Sequence, residues 1–281
     1  MKTRIITGLV LIALFVPLLI LSGTIVFPIA LAILAAVALF EVANCMGFGR
    51  TRELCIPIAA IGAAAIIIAF FAEPDSFIRY ACFGALLLML CIFAATVFAR
   101  GKFSFAEISA FFVCAVYITA AFSSIVLLRH DIGGEYLYLL VFIGPWVCDT
   151  FAYFTGRLLG HHKLIPEVSP KKTVEGSIGG IVFCIGAYLV FGLVVESMGE
   201  FSANYLMLAV TGLAVSIVSQ IGDLIASVIK RQHDVKDYGK IFPGHGGVMD
   251  RFDSVLPTAI VIYLLSSLSD SLSLISPNLI N

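Results

Sequence analysis

An all-α polytopic membrane protein of about nine transmembrane helices, N-terminus cytoplasmic and C-terminus on the opposite side, is the fold class the sequence predicts. Three observations predict it. The 281 residues are 60% hydrophobic with a mean hydropathy of +1.07, well above the roughly 45–50% apolar content of soluble domains. Nine apolar runs, near 5–21, 24–40, 54–72, 79–99, 105–128, 136–154, 178–196, 204–225 and 255–275, approach the ~20 residues needed to cross a hydrocarbon layer of ~30 Å. The basic residues then alternate by loop. With the N-terminus inside, Lys2, Arg4, Arg50, Arg52, Arg100, Lys102, Arg157, Lys163, Lys171, Lys172, Lys230, Arg231, Lys236, Lys240 and Arg251 fall on the cytoplasmic side, and only Arg79 and Arg129 fall outside, as the positive-inside rule requires.

The runs up to about residue 130 carry few polar groups and are expected to supply packing and a lipid-facing wall. Gly62, Ala63, Ala64 and Ala65 suit close helix contact. Glu41 and Glu107 stand near cytoplasmic helix ends and are expected to be ordinary interfacial carboxylates. Seven cysteines lie almost wholly in apolar runs without C-x-x-C spacing, which fits small buried hydrophobes better than disulfides or zinc ligands. The first run lacks a convincing cleavage site, and no separate soluble domain is expected. No internal repeat of the kind found in inverted-repeat transporters is visible. A net charge of −1 suggests neither nucleic acid nor an anionic surface as partner.

Residues 131–281 differ, and the chemistry is expected there, with cytoplasmic loops at 155–177 and 230–254. Asp149 lies inside the sixth run, with Tyr153 and Arg157 following at one-turn intervals; a carboxylate within a span is costly and marks a functional site by default. The next loop places Lys171 and Lys172 after Ser169-Pro170 and before Gly176, Gly179 and Gly180, two ammonium groups beside a flexible backbone, which suits phosphates. His161-His162 is a poor metal pair, because adjacent residues on a regular element point apart.

The densest chemistry runs from Gly222 to Ser254. Asp223, Ser227 and Lys230 are spaced i, i+4, i+7 and so share one helix face. Pro243-Gly244-His245-Gly246-Gly247 opens onto an apolar run, where free N–H groups and a positive dipole end could face an anion. Asp250 and Asp253, at i, i+3, are expected on one face of the helix that follows. Together these features describe a phosphate and metal site.

The segment from Ser227 through Lys230-Arg231, Lys236-Asp237-x-Gly239 and Phe242-Pro243-x-His245-Gly246-Gly247-Val248-x-Asp250-Arg251-Phe252-Asp253 resembles the signature of the CDP-diacylglycerol synthases, or phosphatidate cytidylyltransferases, with no identified departure. Ser169-Pro170-Lys171-Lys172-Thr173-Val174-Glu175-Gly176 and Asp149-x-x-Ala152-Tyr153-x-x-Gly156 also resemble segments of that family; before residue 130 the likeness is in hydropathy alone. The resemblance implies a dimeric integral enzyme of the bacterial inner (plasma) membrane, active on the cytoplasmic side, that converts CTP and phosphatidate to CDP-diacylglycerol and pyrophosphate with magnesium. It implies cation binding by Asp223 and Asp250, and roles for Asp253, Lys171, Lys172, Lys230 and Arg251 in the site, with Arg231, Ser227, His245, Gly246, Gly247 and Asp149 as substrate-binding candidates.

Elementary chemistry is consistent with that reaction. Two like charges ~4 Å apart repel by roughly 4 kcal/mol at an effective dielectric near 20, so clustered aspartates call for a divalent ion. Magnesium takes one or two carboxylates plus substrate phosphates. Asp223 ends the eighth run and Asp250 begins the ninth, which would bring them to one depth on a single Mg²⁺, with room for a second cation near Asp253. A phosphate monoester with a second pKa near 6 is already mostly dianionic, so positioning dominates and His245 is expected to shape the loop or bond phosphate instead of acting as a base. Two other readings compete: a CTP-dependent kinase of a lipid alcohol, and an ion-coupled transporter using Asp149 and Asp223.

Overall fold

A computed structural model describes residues 2–98, 103–267 and 273–278; Arg100, Lys102 and the C-terminal Asn281 lie outside them. The chain forms two compact units. The first comprises Met1–Leu127 with Gln232–Phe252, the second Leu128–Arg231 with Asp253–Asn281. Residues 232–252, which the sequence groups with the C-terminal half, thus fold with the N-terminal helices.

In the first unit, α1 (Lys2–Ile20), α2 (Val26–Cys45), α3 (Arg52–Phe71), α4 (Pro74–Phe98) and most of α5 (Phe105–His130) precede a loop and the single-turn α9 (Met249–Phe252). The core is centred on α2, whose Phe27, Leu31, Ala35, Ala38 and Leu39 are buried. Small side chains there allow backbones to approach closely. At Gly62 of α3 a Cβ would come within 2.8 Å of the Thr119 hydroxyl on α5. On α1 and α4 the opposite holds: Leu9, Ile12, Leu14, Phe83, Leu87 and Leu90 are exposed, an arrangement that lipid tolerates and water does not.

The second unit holds α6 (Gly134–Leu159), α7 (Val174–Ser197), α8 (Tyr205–Gln232) up to Arg231, and α10 (Val255–Ser267). Helices α6 and α7 pack at glycines. A Cβ on Gly179 would overlap the Thr155 side chain, one on Gly180 would reach 2.9 Å from the Cys148 carbonyl, and one on Gly176 would reach 2.6 Å from the Ala152 carbonyl. Gly176, Gly179 and Gly180 are therefore rigid packing positions on a helix, which corrects the expectation of a flexible phosphate-binding backbone. Thr173 caps α7, its hydroxyl accepting the Gly176 N–H at 3.1 Å, so the helix starts directly after the lysine pair.

Helices α2, α4, α5, α6, α7 and α8 contain segments long and apolar enough to cross a membrane, and shorter apolar stretches lie at Thr7–Ile20, Cys55–Phe71 and Val255–Ser267. The protein is accordingly a mostly helical integral membrane protein. One detail departs from the expectation. Among the described residues, four short strands form two antiparallel pairs, β1 (Lys163–Ile165) with β2 (Ser169–Thr173) and β3 (Phe201–Ala203) with β4 (Ile275–Pro277). The helix in the ninth run is described over Val255–Ser267, and Ser266 and Ser267 turn their hydroxyls onto the Tyr263 and Leu264 carbonyls.

Candidate active site

In the second unit, Gly222 brings α8 against the chain preceding α10. A Cβ at this glycine would lie 2.5 Å from the Asp253 carbonyl oxygen and 2.6 Å from the Pro257 ring. This close approach sets Asp223 beside Asp253. Lys172, delivered by β2, places Nζ 2.5 Å from Asp223 Oδ2, with each side chain about a quarter exposed. Asp253 and Lys230 are buried. Burial, then the charge of Asp223, pushes the Asp253 carboxyl well above the usual carboxylate range, Lys230 opposes the shift, and Asp149 adds to it. Ser254, buried, donates its N–H to Asp253 Oδ1 at 2.8 Å and its hydroxyl to Asp149 Oδ2 at 3.3 Å.

The structure thus brings together Asp149, Asp223, Asp253, Lys172 and Lys230 from four segments. Ser227 lies on α8 between Asp223 and Lys230, and Lys171 and Arg231 are exposed, in the middle of β2 and near the end of α8. Ser254 is a member that motif reading overlooked. The Nδ1 atom of His162 is 2.6 Å from Glu175 Oε1, a hydrogen-bonding contact across the base of the β1–β2 hairpin.

The glycine-rich loop belongs to the first unit, and with it Asp250. Its turn is closed by Phe242 N–H to the Gly246 carbonyl at 2.9 Å and His245 N–H to the Phe242 carbonyl at 2.8 Å. Gly244 and Gly246 adopt φ of 80° and 85°, which non-glycine residues rarely take. Asp250, buried, accepts the N–H groups of Tyr238 at 2.8 Å and Gly247 at 3.0 Å on one oxygen. Glu41, also buried, accepts those of Val248 at 3.1 Å and Met249 at 2.8 Å. The N–H groups of Gly247, Val248 and Met249 are therefore not free to face an anion; two carboxylates of the chain already occupy them. Nor do Asp250 and Asp253 share a helix face, because α9 ends at Phe252 and α10 begins at Val255.

Beside the loop lies a cavity of about 620 Å³ lined by Lys236, Asp237, Lys240, His245 and Arg251 with the loop glycines. Its three cations and one carboxylate leave it positive, and its size lies within the ~300–1,000 Å³ typical of ligand sites. The Nδ1 atom of His245 is buried without a hydrogen-bond partner among the described residues.

An oxygen donor set of Asp223, Asp253 and Asp149 suits a hard cation. A buried Asp253 under the charge of two other carboxylates is an arrangement that such an ion would relieve. Among the described residues no three or more His, Cys, Asp or Glu groups stand close enough to hold an ion together, so these carboxylates do not form a complete metal site by themselves.

The profile of the cytidylyltransferase family matches residues 2–269. A protein of Bacillus subtilis (strain 168) named phosphatidate cytidylyltransferase is 36% identical over 276 residues, covering 95% of this chain and 98% of its own length. Proteins of the same name from Staphylococcus haemolyticus and Staphylococcus aureus are each 34% identical, over 91% and 95% of this chain and 95% and 100% of their own. The likeness extends through the helices before residue 130 as well as the charged segments, and the chain belongs to the cytidylyltransferase family.

Proposed function

We propose that this protein transfers the cytidylyl group of CTP to phosphatidate, giving CDP-diacylglycerol and pyrophosphate. The observation that carries the reading is the end-to-end likeness to enzymes named for that reaction, in a chain that sets Lys172, Asp223 and Asp253 together. A phosphate oxygen of phosphatidate attacks the α-phosphorus of CTP, a P–O bond forms, and the bond to the β-phosphate breaks. Phosphatidate enters as a dianion, so the side chains act by placement and charge. In the second unit Lys172 and Lys230 hold phosphate oxygens, and in the first unit the cavity of Lys236, Lys240, His245 and Arg251 offers cations suited to phosphate. Asp223 and Asp253 would hold Mg²⁺, which when bound neutralises charge on the nucleotide phosphates; a second cation near Asp253 belongs to the same reading. For Asp250 as a further ligand the support is the sequence resemblance.

The active site faces the cytoplasm of a bacterial inner membrane, nine helices cross it, and the enzyme works as a homodimer; charge alternation supports the topology and the resemblance supports the dimer. Purified protein given CTP and phosphatidate tests the reaction. Pyrophosphate release is expected, whereas CDP release would identify a lipid kinase. A reporter after Asn281 is expected outside the cytoplasm and one near His162 inside; both on one side would overturn the topology.

Lys172→Ala is expected to lower kcat/KM by about 10- to 150-fold, the loss of a charge-assisted contact worth roughly 1.5–3 kcal/mol. Lys171→Ala should fall in the same direction and cost less, since Lys171 is exposed while Lys172 sits on Asp223. Unchanged kinetics in both variants would reduce the pair to topology signals.

A further inference from the structure

The glycines at 239, 246 and 247 have a common cause. A Cβ at Gly239 or Gly247 would overlap the Glu41 carboxylate, and one at Gly246 would lie 2.8 Å from Asp250 Oδ2. The loop is thus moulded around two buried carboxylates, and one of them comes from a membrane helix more than 200 residues away in sequence. Glu41 sits in the last turns of α2, in a helix otherwise apolar. One of its oxygens takes the Val248 N–H and the other the Met249 N–H. These are the residues between Gly247 and Asp250. A buried charge in that place is costly unless it is bonded, and both oxygens are bonded here to one short segment. From the other side, the Thr7 hydroxyl of α1 donates to the Pro243 carbonyl at 3.0 Å.

We infer that Glu41 is a positioning residue of the reaction: its carboxylate clamps the Val248 and Met249 N–H groups and so holds the glycine-rich loop, with His245 and Arg251, in the shape that binds the nucleotide. The inference rests on the cytidylyltransferase reading for what the loop binds, while the clamp itself stands on geometry. Glutamine can accept only one of the two N–H groups and turns a donor toward the other. Alanine accepts neither.

The test pairs kinetics with limited trypsin digestion of the full chain in detergent, mapped by mass spectrometry at Lys236 and Lys240, both exposed on this loop. Glu41→Gln is expected to raise the KM for CTP by about tenfold or more, the loss of one charge-assisted bond. The KM for phosphatidate should stay unchanged, and cleavage at both lysines should quicken. Glu41→Ala should move each readout further. Wild-type cleavage and wild-type KM for CTP in both variants would overturn the inference, as would an equal loss toward both substrates. If the alanine variant does not extract as monodisperse protein, Glu41→Gln decides alone. A wild-type enzyme that releases no pyrophosphate would sink the reaction and not the clamp, which faster cleavage in the variants would still support.

Discussion

Asp223→Asn is expected to abolish turnover, with a loss of at least about 100-fold, or ~2.7 kcal/mol in the barrier, in protein that remains monodisperse. The substitution keeps the shape of the side chain and removes its charge. Lys172, now 2.5 Å from that carboxylate, would lose its counter-ion in a half-buried setting, where removing one partner of a pair costs more than the pair contributes. Asp253 would lose the larger of the two carboxylate charges that raise its pKa, but the cluster would carry one negative charge fewer and hold a cation less well. Excess magnesium should restore little, since an amide oxygen is a poor substitute for a carboxylate at a hard ion. A variant retaining more than about a tenth of the wild-type rate, a loss below roughly 1.4 kcal/mol, would remove Asp223 from direct metal contact.

Asp250→Asn separates two roles, the loop brace that the geometry shows and the cation ligand that the sequence resemblance implies. As a loop brace Asp250 accepts Tyr238 and Gly247 N–H groups through a single oxygen, and an asparagine carbonyl can accept the same two bonds, though less strongly. As a cation ligand it needs its charge. The expected result is abolished turnover with the trypsin pattern at Lys236 and Lys240 unchanged, which assigns the charge to chemistry. Turnover above about a tenth of wild type would leave Asp250 as a brace alone. Asp250→Ala provides the contrast: two buried N–H groups lose their acceptor, at roughly 1–3 kcal/mol each, and the loop should then become sensitive to trypsin even where Asn is not.

The sequence alone determined the membrane class, because apolar length and alternating charge respond to a property of the bilayer that needs no tertiary contact. It also singled out Asp223, Asp253 and Lys172 as site candidates, since charged groups are conspicuous where apolar residues dominate. The tertiary structure decided which neighbours these groups have. Gly176, Gly179 and Gly180 read as loop-like by composition, yet the crossing of α6 and α7 makes them packing residues; glycine signals close approach and flexibility alike, and only the opposing atom tells which. The Gly246-Gly247 turn promised free N–H groups, but the Gly247 N–H goes to Asp250 and the next two N–H groups go to Glu41, a side chain from another part of the chain. Glu41 could not be distinguished from an interfacial carboxylate by spacing or composition, because its two hydrogen bonds join positions more than 200 residues apart, and a contact of that separation exists only once α2 and the loop have packed.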